Sequence, residues 1–298
     1  MRNSIHRWLL LCVLAGHGAL AQTVVRHDES LASDRPEAWA MNYTAASTFM
    51  TAFGEVAPLA PGHWDAAVEL GAIPRLSDAQ QHVGFIGAKQ EDLNRSPVFG
   101  RLRLRVGLPA DWVAEIGYTP PVEIDGTRPR DLVTLAVGRQ VIARDAWTLS
   151  ARAFGQHGRA EGDITCPARL AGLTDPAQNR FGCQAPSDDR IALNYYGGDL
   201  TAGWAVGATR LHATLGVVRT ELAVQVDALV FDARDRTRLV ARGVLPYLAL
   251  GASHPVDAHW SVGVEALYVP LPVKREPGGA RTNDPFATLR VLLRYRLD

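Results

Sequence analysis

Apolar and polar positions alternate along most of this chain. The pattern is sharpest at residues 101–108, where Leu102, Leu104, Val106 and Leu108 share one face and Arg101, Arg103, Arg105 and Gly107 the other. A period of two marks a strand with two unlike faces. It recurs at Trp112, Ala114, Ile116 and Tyr118, which alternate with Val113, Glu115, Gly117 and Thr119. Leu211, Ala213, Leu215 and Val217 alternate with Arg210, His212, Thr214 and Gly216. Trp260, Val262, Val264, Ala266 and Tyr268 alternate with Ser261, Gly263 and Glu265. Near the end, Leu289, Val291, Leu293, Tyr295 and Leu297 oppose Arg290, Arg294 and Arg296. Read throughout, the pattern predicts roughly twelve strands, at 46–55, 64–73, 81–88, 97–108, 111–119, 130–139, 147–156, 191–204, 207–218, 236–252, 259–269 and 285–297. Pro246 interrupts one of them and predicts a bulge. Residues 22–45 do not alternate. There Asp34-Arg35-Pro36-Glu37 predicts the start of a short helix through Trp39 and Met41, in a segment that lies either in the periplasm or inside a barrel as a plug.

Alternation suits two architectures. A soluble sandwich buries its apolar faces, whereas a membrane barrel turns them to lipid and keeps polar residues in the lumen. Two features favour the barrel. Tight connections (109–110, 140–146, 205–206, 253–258) alternate with longer ones (120–129, 157–190, 219–235, 270–284), as short periplasmic turns alternate with extracellular loops. Trp112, Trp147, Trp204 and Trp260 fall on the short-turn rim, and Tyr118, Tyr195 and Tyr268 on the other, giving two aromatic girdles.

The closing amphipathic strand resembles the terminal strand of bacterial outer-membrane β-barrels, although those mostly end on Phe and this one ends on Leu297 and Asp298 with Tyr295 nearby. The resemblance implies an all-β, antiparallel up-and-down transmembrane barrel over 46–298. Both termini would be periplasmic, with outer-membrane lipids and the barrel assembly machinery as partners. It names no function.

The start of the chain agrees with export. Arg2 and Arg7 precede an apolar run from Trp8 to Ala15, and Ala19-Leu20-Ala21 is a small-x-small site, so residues 1–21 read as a signal peptide cut before Gln22. Cys12 lies inside the apolar run with no small residue before it, which disfavours lipidation. No later apolar stretch has the ~20 residues of a spanning helix. Lys and Arg total 31 and Asp and Glu 31, which removes any electrostatic case for nucleic acid. In an exported protein Cys166 and Cys183 read as a disulfide rather than two free thiols. Their spacing fits no zinc pattern, and no cofactor motif is present.

The parity of the strands gives a candidate lumen lining: Glu69, Arg101, Arg103, Arg105, Glu115, Arg152, Arg210, His212, Glu265, Arg290 and Arg294. Such a lining either ion-pairs to fill a narrow barrel or walls a water-filled path, with the Arg excess favouring anions. The leading expectation is a narrow or gated path or binding site for a small solute. The alternative is a non-transporting interaction or structural protein working through its loops, with 157–190 the foremost. A third reading is an outer-membrane hydrolase. Its candidates are His212 with Thr214, Ser253-His254, and the rim residues His157, Glu161, Asp163, Asp188 and Asp189.

Overall fold

The computed structural model describes residues 23–54 and 56–297. The expected signal peptide, 1–21, lies outside the described residues. Ten strands form a closed antiparallel ring: β1 (Trp64–Ala72), β2 (Val98–Gly107), β3 (Trp112–Thr119), β4 (Thr127–Ala143), β5 (Trp147–Gly162), β6 (Asp189–Val206), β7 (Thr209–Gln225), β8 (Arg238–Pro255), β9 (Trp260–Val269) and β10 (Phe286–Leu297). Each strand pairs with its sequence neighbours. β10 closes on β1, from Arg290 opposite Gly71 to Leu297 opposite Trp64. Burial follows the alternation. Along β7, His212, Thr214, Gly216, Val218, Thr220 and Leu222 are buried, while Leu211, Leu215 and Val217 are exposed. Apolar-out with charge-in is the arrangement of a transmembrane barrel.

Glycine makes room inside. Tyr247 lies flat over Gly216, its register partner, where a Cβ would stand 2.3 Å from the ring. Gly251 likewise admits the imidazole of His212.

Two expected strands are not part of the wall. Residues 81–88 form short pieces within the 73–97 connection, where His82 pairs with Gln90 and Gly84 bridges Lys89 instead of joining the wall. Of the expected strand 46–55, residues 46–54 lie in the lumen instead and are buried. Alternation failed there because the run Phe49, Met50, Thr51, Ala52, Phe53 is enclosed on every side.

The short connections 108–111, 144–146, 207–208 and 256–259 share one rim, with Leu297. The longer ones, 73–97, 120–126, 163–188, 226–237 and 270–285, share the other. The chain at Thr23–Val25 is on this second rim, pairing in parallel with Ala233–Asp235, and Asp28–Ser30 pairs in parallel with Arg238–Val240 of β8. The expectation that both ends of the mature chain share the short-turn rim is therefore corrected: the two described ends lie on opposite rims, because the chain enters the barrel before forming its first wall strand.

Inside, α1 (Pro36–Ser47) has Pro36 in its first turn and Glu37 beside it, both suited to a helix start. It is buried nearly all round, with Glu37, Asn42 and Ser47 enclosed among its apolar side chains. Trp39, Ala38, Ala45 and Ala46 are fully buried. They share a core with Leu193, Val218, Leu222, Ala241, Leu245, Leu267, Val269 and Phe286 of the wall. Polar ties orient the helix: Trp39 Nε1 donates to the Asp284 carbonyl at 2.8 Å and Tyr43 Oη to that of Pro74 at 2.9 Å.

Pro246 lies in an intact strand, opposite Val217. The β8–β9 ladder ends at Leu248, and no strand pairs with residues 241–247 on that side among the described residues. A residue without an N–H is tolerated where a partner is missing.

Candidate functional site

The site is the middle of the lumen, where α1 ends and wall arginines converge on the chain that leaves it. Helix C-terminal carbonyls lack intrahelical partners and carry partial negative charge. Here cations meet them. Arg290 donates to Ala46 O at 3.2 Å and to Phe49 O at 2.5 Å. Arg101 donates to Thr48 O at 2.5 Å, and Tyr195 Oη to the same oxygen at 2.7 Å. Arg152 donates to Met50 O, and Arg103 to Thr51 O at 2.9 Å. The Met50 N–H donates back to Tyr195 Oη at 3.1 Å. Lower down, the Val56 N–H donates to Ser150 Oγ at 3.1 Å. The contacts are mainly to main chain, so the wall grips the backbone of the segment.

The arginines are also ion-paired. Glu69, fully buried, lies 3.5 Å from Arg101, 3.1 Å from Arg103 and 3.3 Å from Arg290. Glu115 accepts from Arg103 at 2.6 Å, Asp199 from Arg152 at 2.7 Å and Asp65 from Arg105 at 2.5 Å. Leaving any one of these charges alone in a dry interior would cost several kcal/mol, about 3–5. The packing is close: the void between Ala52, Val56, Arg105, Glu115 and Arg152 is about 10 Å³, room for one water.

Of the residues expected in the lumen, Arg101, Arg103, Arg105, Glu115, Arg152, His212, Glu265 and Arg290 are buried there. Arg210 is exposed at the short-turn rim, where the parity is inward but the strand has left the lumen. Arg294 is half-buried near that rim, 3.5 Å from Asp65. Asp65 and Asp199 were missed, and they change the picture. With Glu69, Glu115 and Glu265 they offset the five arginines buried in the middle of the lumen, so the expected cationic excess is absent there. The inward parity of Asp199 with Tyr195 and Thr201 was the available signal.

Tyr195 corrects the aromatic girdle. It is buried in the lumen, and its neighbour Tyr196 is exposed. Adjacent residues of a strand face opposite ways, and Trp204 fixes the outward parity on β6. Trp112, Trp147, Trp204 and Trp260 are exposed on the short-turn rim, joined by Trp64; Tyr118 and Tyr268 are exposed towards the other rim.

The hydrolase candidates are spread over the lumen and both rims, and neither ring nitrogen of His212 has a hydrogen bond among the described residues. His212 Nε2 lies 3.4 Å from Glu265 Oε2 inside the lumen, and Thr214 Oγ1 is 2.8 Å from Thr201 Oγ1. Thr51 Oγ1 of the inner segment donates to Glu265 Oε1 at 2.5 Å. His254 contacts Thr209 at 3.0 Å. At the long-loop rim Glu161 collects Arg128, Arg130 and Arg159, Asp163 binds Arg95, and Asp188 binds Arg190. Asp189 accepts from the Thr165 N–H and Ser187, and His157 is exposed.

Above the barrel, Cys166 and Cys183 are disulfide-bonded. Phe181 stacks on Phe85 at 5.9 Å, and Phe231 packs flat over Gly182. Phe85 and Phe231 are both more than 60% exposed, so three loops share an aromatic patch. Lys89 Nζ ties this region inward, donating to Glu91 at 2.8 Å and to Thr165 O at 2.7 Å. Burial pushes the Glu91 carboxyl up to about 7, against the pull of Lys89.

No family model and no curated protein matches this chain. Among solved structures it is similar to the attachment invasion locus protein Ail of Yersinia pestis (9% identity, 80% of this chain and 100% of that one, TM-score 0.33). It is similar also to the outer membrane protease OmpT from Escherichia coli (10%, 79% and 92%, TM-score 0.35). A third is the toluene transporter TodX of Pseudomonas putida (12%, 80% and 69%, TM-score 0.31). At these scores the architecture rests on this chain's own strand pairing.

Proposed function

We propose that the protein is a gated outer-membrane barrel for a small solute, with its long loops outside the cell and its own segment 31–56 as the gate. The observation that carries this reading is the chemistry of the grip. Arg101, Arg103, Arg152 and Arg290 hold carbonyl oxygens of the segment rather than its side chains. Water or the oxygens of a solute offer the same acceptors. A barrel filled for good has no need of this polar wall, since an apolar core fills space at lower desolvation cost. With its charges balanced, the lumen favours a neutral or zwitterionic oxygen-bearing solute over a simple anion.

The test is single-channel recording in planar bilayers. The unaltered protein should be closed or nearly so. An Arg101→Ala, Arg290→Ala variant should open in bursts, and a variant lacking 31–56 should stay open. A folded barrel without that segment that still passes no current would overturn the gate.

A second reading is favoured by the disulfide-tied aromatic patch of Phe85, Phe181 and Phe231: a surface protein binding a partner through its loops. Removing 167–182 would then abolish binding and leave conductance unchanged.

A further inference from the structure

The outer wall carries a shallow apolar dent. Ala72, Leu289, Ala266 and Leu250 form one outward row across β1, β10, β9 and β8, set by the pairs Leu289–Ala266 and Ala266–Leu250. The next row towards the long loops holds Ala287, Tyr268 and Leu248, with Pro74 beyond β1. Three alanines at the centre and larger side chains around them leave an open apolar groove of about 460 Å³. That lies within the ~300–1,000 Å³ of small-molecule sites. It sits at the foot of the unpaired stretch 241–247 of β8, where the wall loses its ladder.

The upper edge of the groove is polar and cationic. Asn283 Nδ2 donates to Tyr268 Oη at 3.1 Å, which fixes the ring as the groove's lip. Arg75 follows the lining residue Pro74, and Arg281 is two residues from Asn283; both are exposed, and neither is in an ion pair among the described residues. The other cations of these loops are engaged: Lys274 with Asp34 at 3.2 Å and Arg275 with Asp284. Two exposed arginines on the loops that border an apolar slot in a lipid-facing wall suit a phosphate above an acyl chain, because guanidinium binds phosphate through paired N–H donors.

We infer that this groove is a binding site for a phosphorylated, multiply acylated glycolipid of the outer leaflet. One acyl chain lies over Ala72, Ala266 and Ala287, and a phosphate sits between Arg75 and Arg281. The leaflet follows from the orientation proposed above; the site itself does not depend on the gate.

The experiment is native mass spectrometry of the full mature chain in detergent, given bis-phosphorylated lipid A, its dephosphorylated form, or phosphatidylethanolamine. The protein should retain one molecule of the phosphorylated lipid, with a preference of ~tenfold over the dephosphorylated one. Arg75→Glu with Arg281→Glu, both on exposed loops, should erase that preference. Ala266→Phe with Ala287→Leu fills the groove and should abolish retention, with folding checked by heat-modifiable migration. Equal retention of all three lipids, or retention unchanged by both pairs of substitutions, would mean annular lipid only and would overturn the site. Because no current is measured, failure of the gate leaves this result unaffected.

Discussion

The guanidinium of Arg103 donates to the carbonyl of Thr51 at 2.9 Å, one of the contacts that join the wall of the barrel to the segment that fills it. The same side chain is paired with Glu115 and Glu69. Arg103→Glu would place three carboxylates together and release Thr51. Destabilisation of about 3–5 kcal/mol is expected, read as a lower temperature for the heat-modifiable shift, with new current in bilayers. A closed barrel of unchanged stability would contradict the grip.

Tyr195 and Tyr196 give an internal control. Tyr195→Phe removes the hydroxyl shared by Thr48 O and the Met50 N–H. It should cost about 1–3 kcal/mol and speed amide exchange at Met50. Tyr196→Phe, on the outer face, should change neither.

The disulfide closes a loop with a sequence separation of 17. Replacing Cys166 and Cys183 with Ser should cost about 2–4 kcal/mol of loop stability and expose 167–182 to protease. Conductance should not change, because the loop lies above the rim.

Glu91 sets a pH dependence. Its ordinary value is 4.5 and burial raises it to about 7. The folded loop therefore holds a proton that the unfolded chain has released between these values. The stabilisation is full below pH 4.5 and is lost as pH rises to 7, by on the order of 3 kcal/mol. Protease nicking of 73–97 should rise across that window, and Glu91→Gln should flatten the profile.

Phe85 and Ile86 both have left-handed backbone, with φ of 50° and 61°. For a β-branched residue this costs about 1–2 kcal/mol. Ile86 is half exposed, and its N–H donates to Glu37 Oε1 at 2.7 Å. Ile86→Gly keeps that bond and should raise the thermal midpoint.

The wall was legible in the sequence wherever one face was apolar and the other charged, as along Arg101–Leu108. Parity pointed inward for Arg101, Arg103, Arg105, Glu115, Arg152 and Arg290, which are buried, but also for Arg210, which is exposed at the rim. What parity could not show was the filling. Phe49 and Met50 are surrounded on all sides, so their environment has no period, and the run resembled a strand. Asp65 was hidden in a weakly patterned strand, and its pairing with Arg105 crosses 40 positions of sequence. Tyr195 was placed by its position near a rim, where the alternation with Tyr196 was the better guide.

The chain passes from the long-loop rim at Ser30, through the ring, to the opposite rim at Trp64, and β10 then closes on β1. The ring is thus a bead threaded on its own leading segment. Were the ring to close first, this segment, with the bulk of Trp39 and Tyr43, would have to be drawn through a finished aperture. The expected order of assembly is therefore that the thread is laid before the last seam is sealed. A barrel that sealed early would remain an empty ring with its leader stranded on the wrong side.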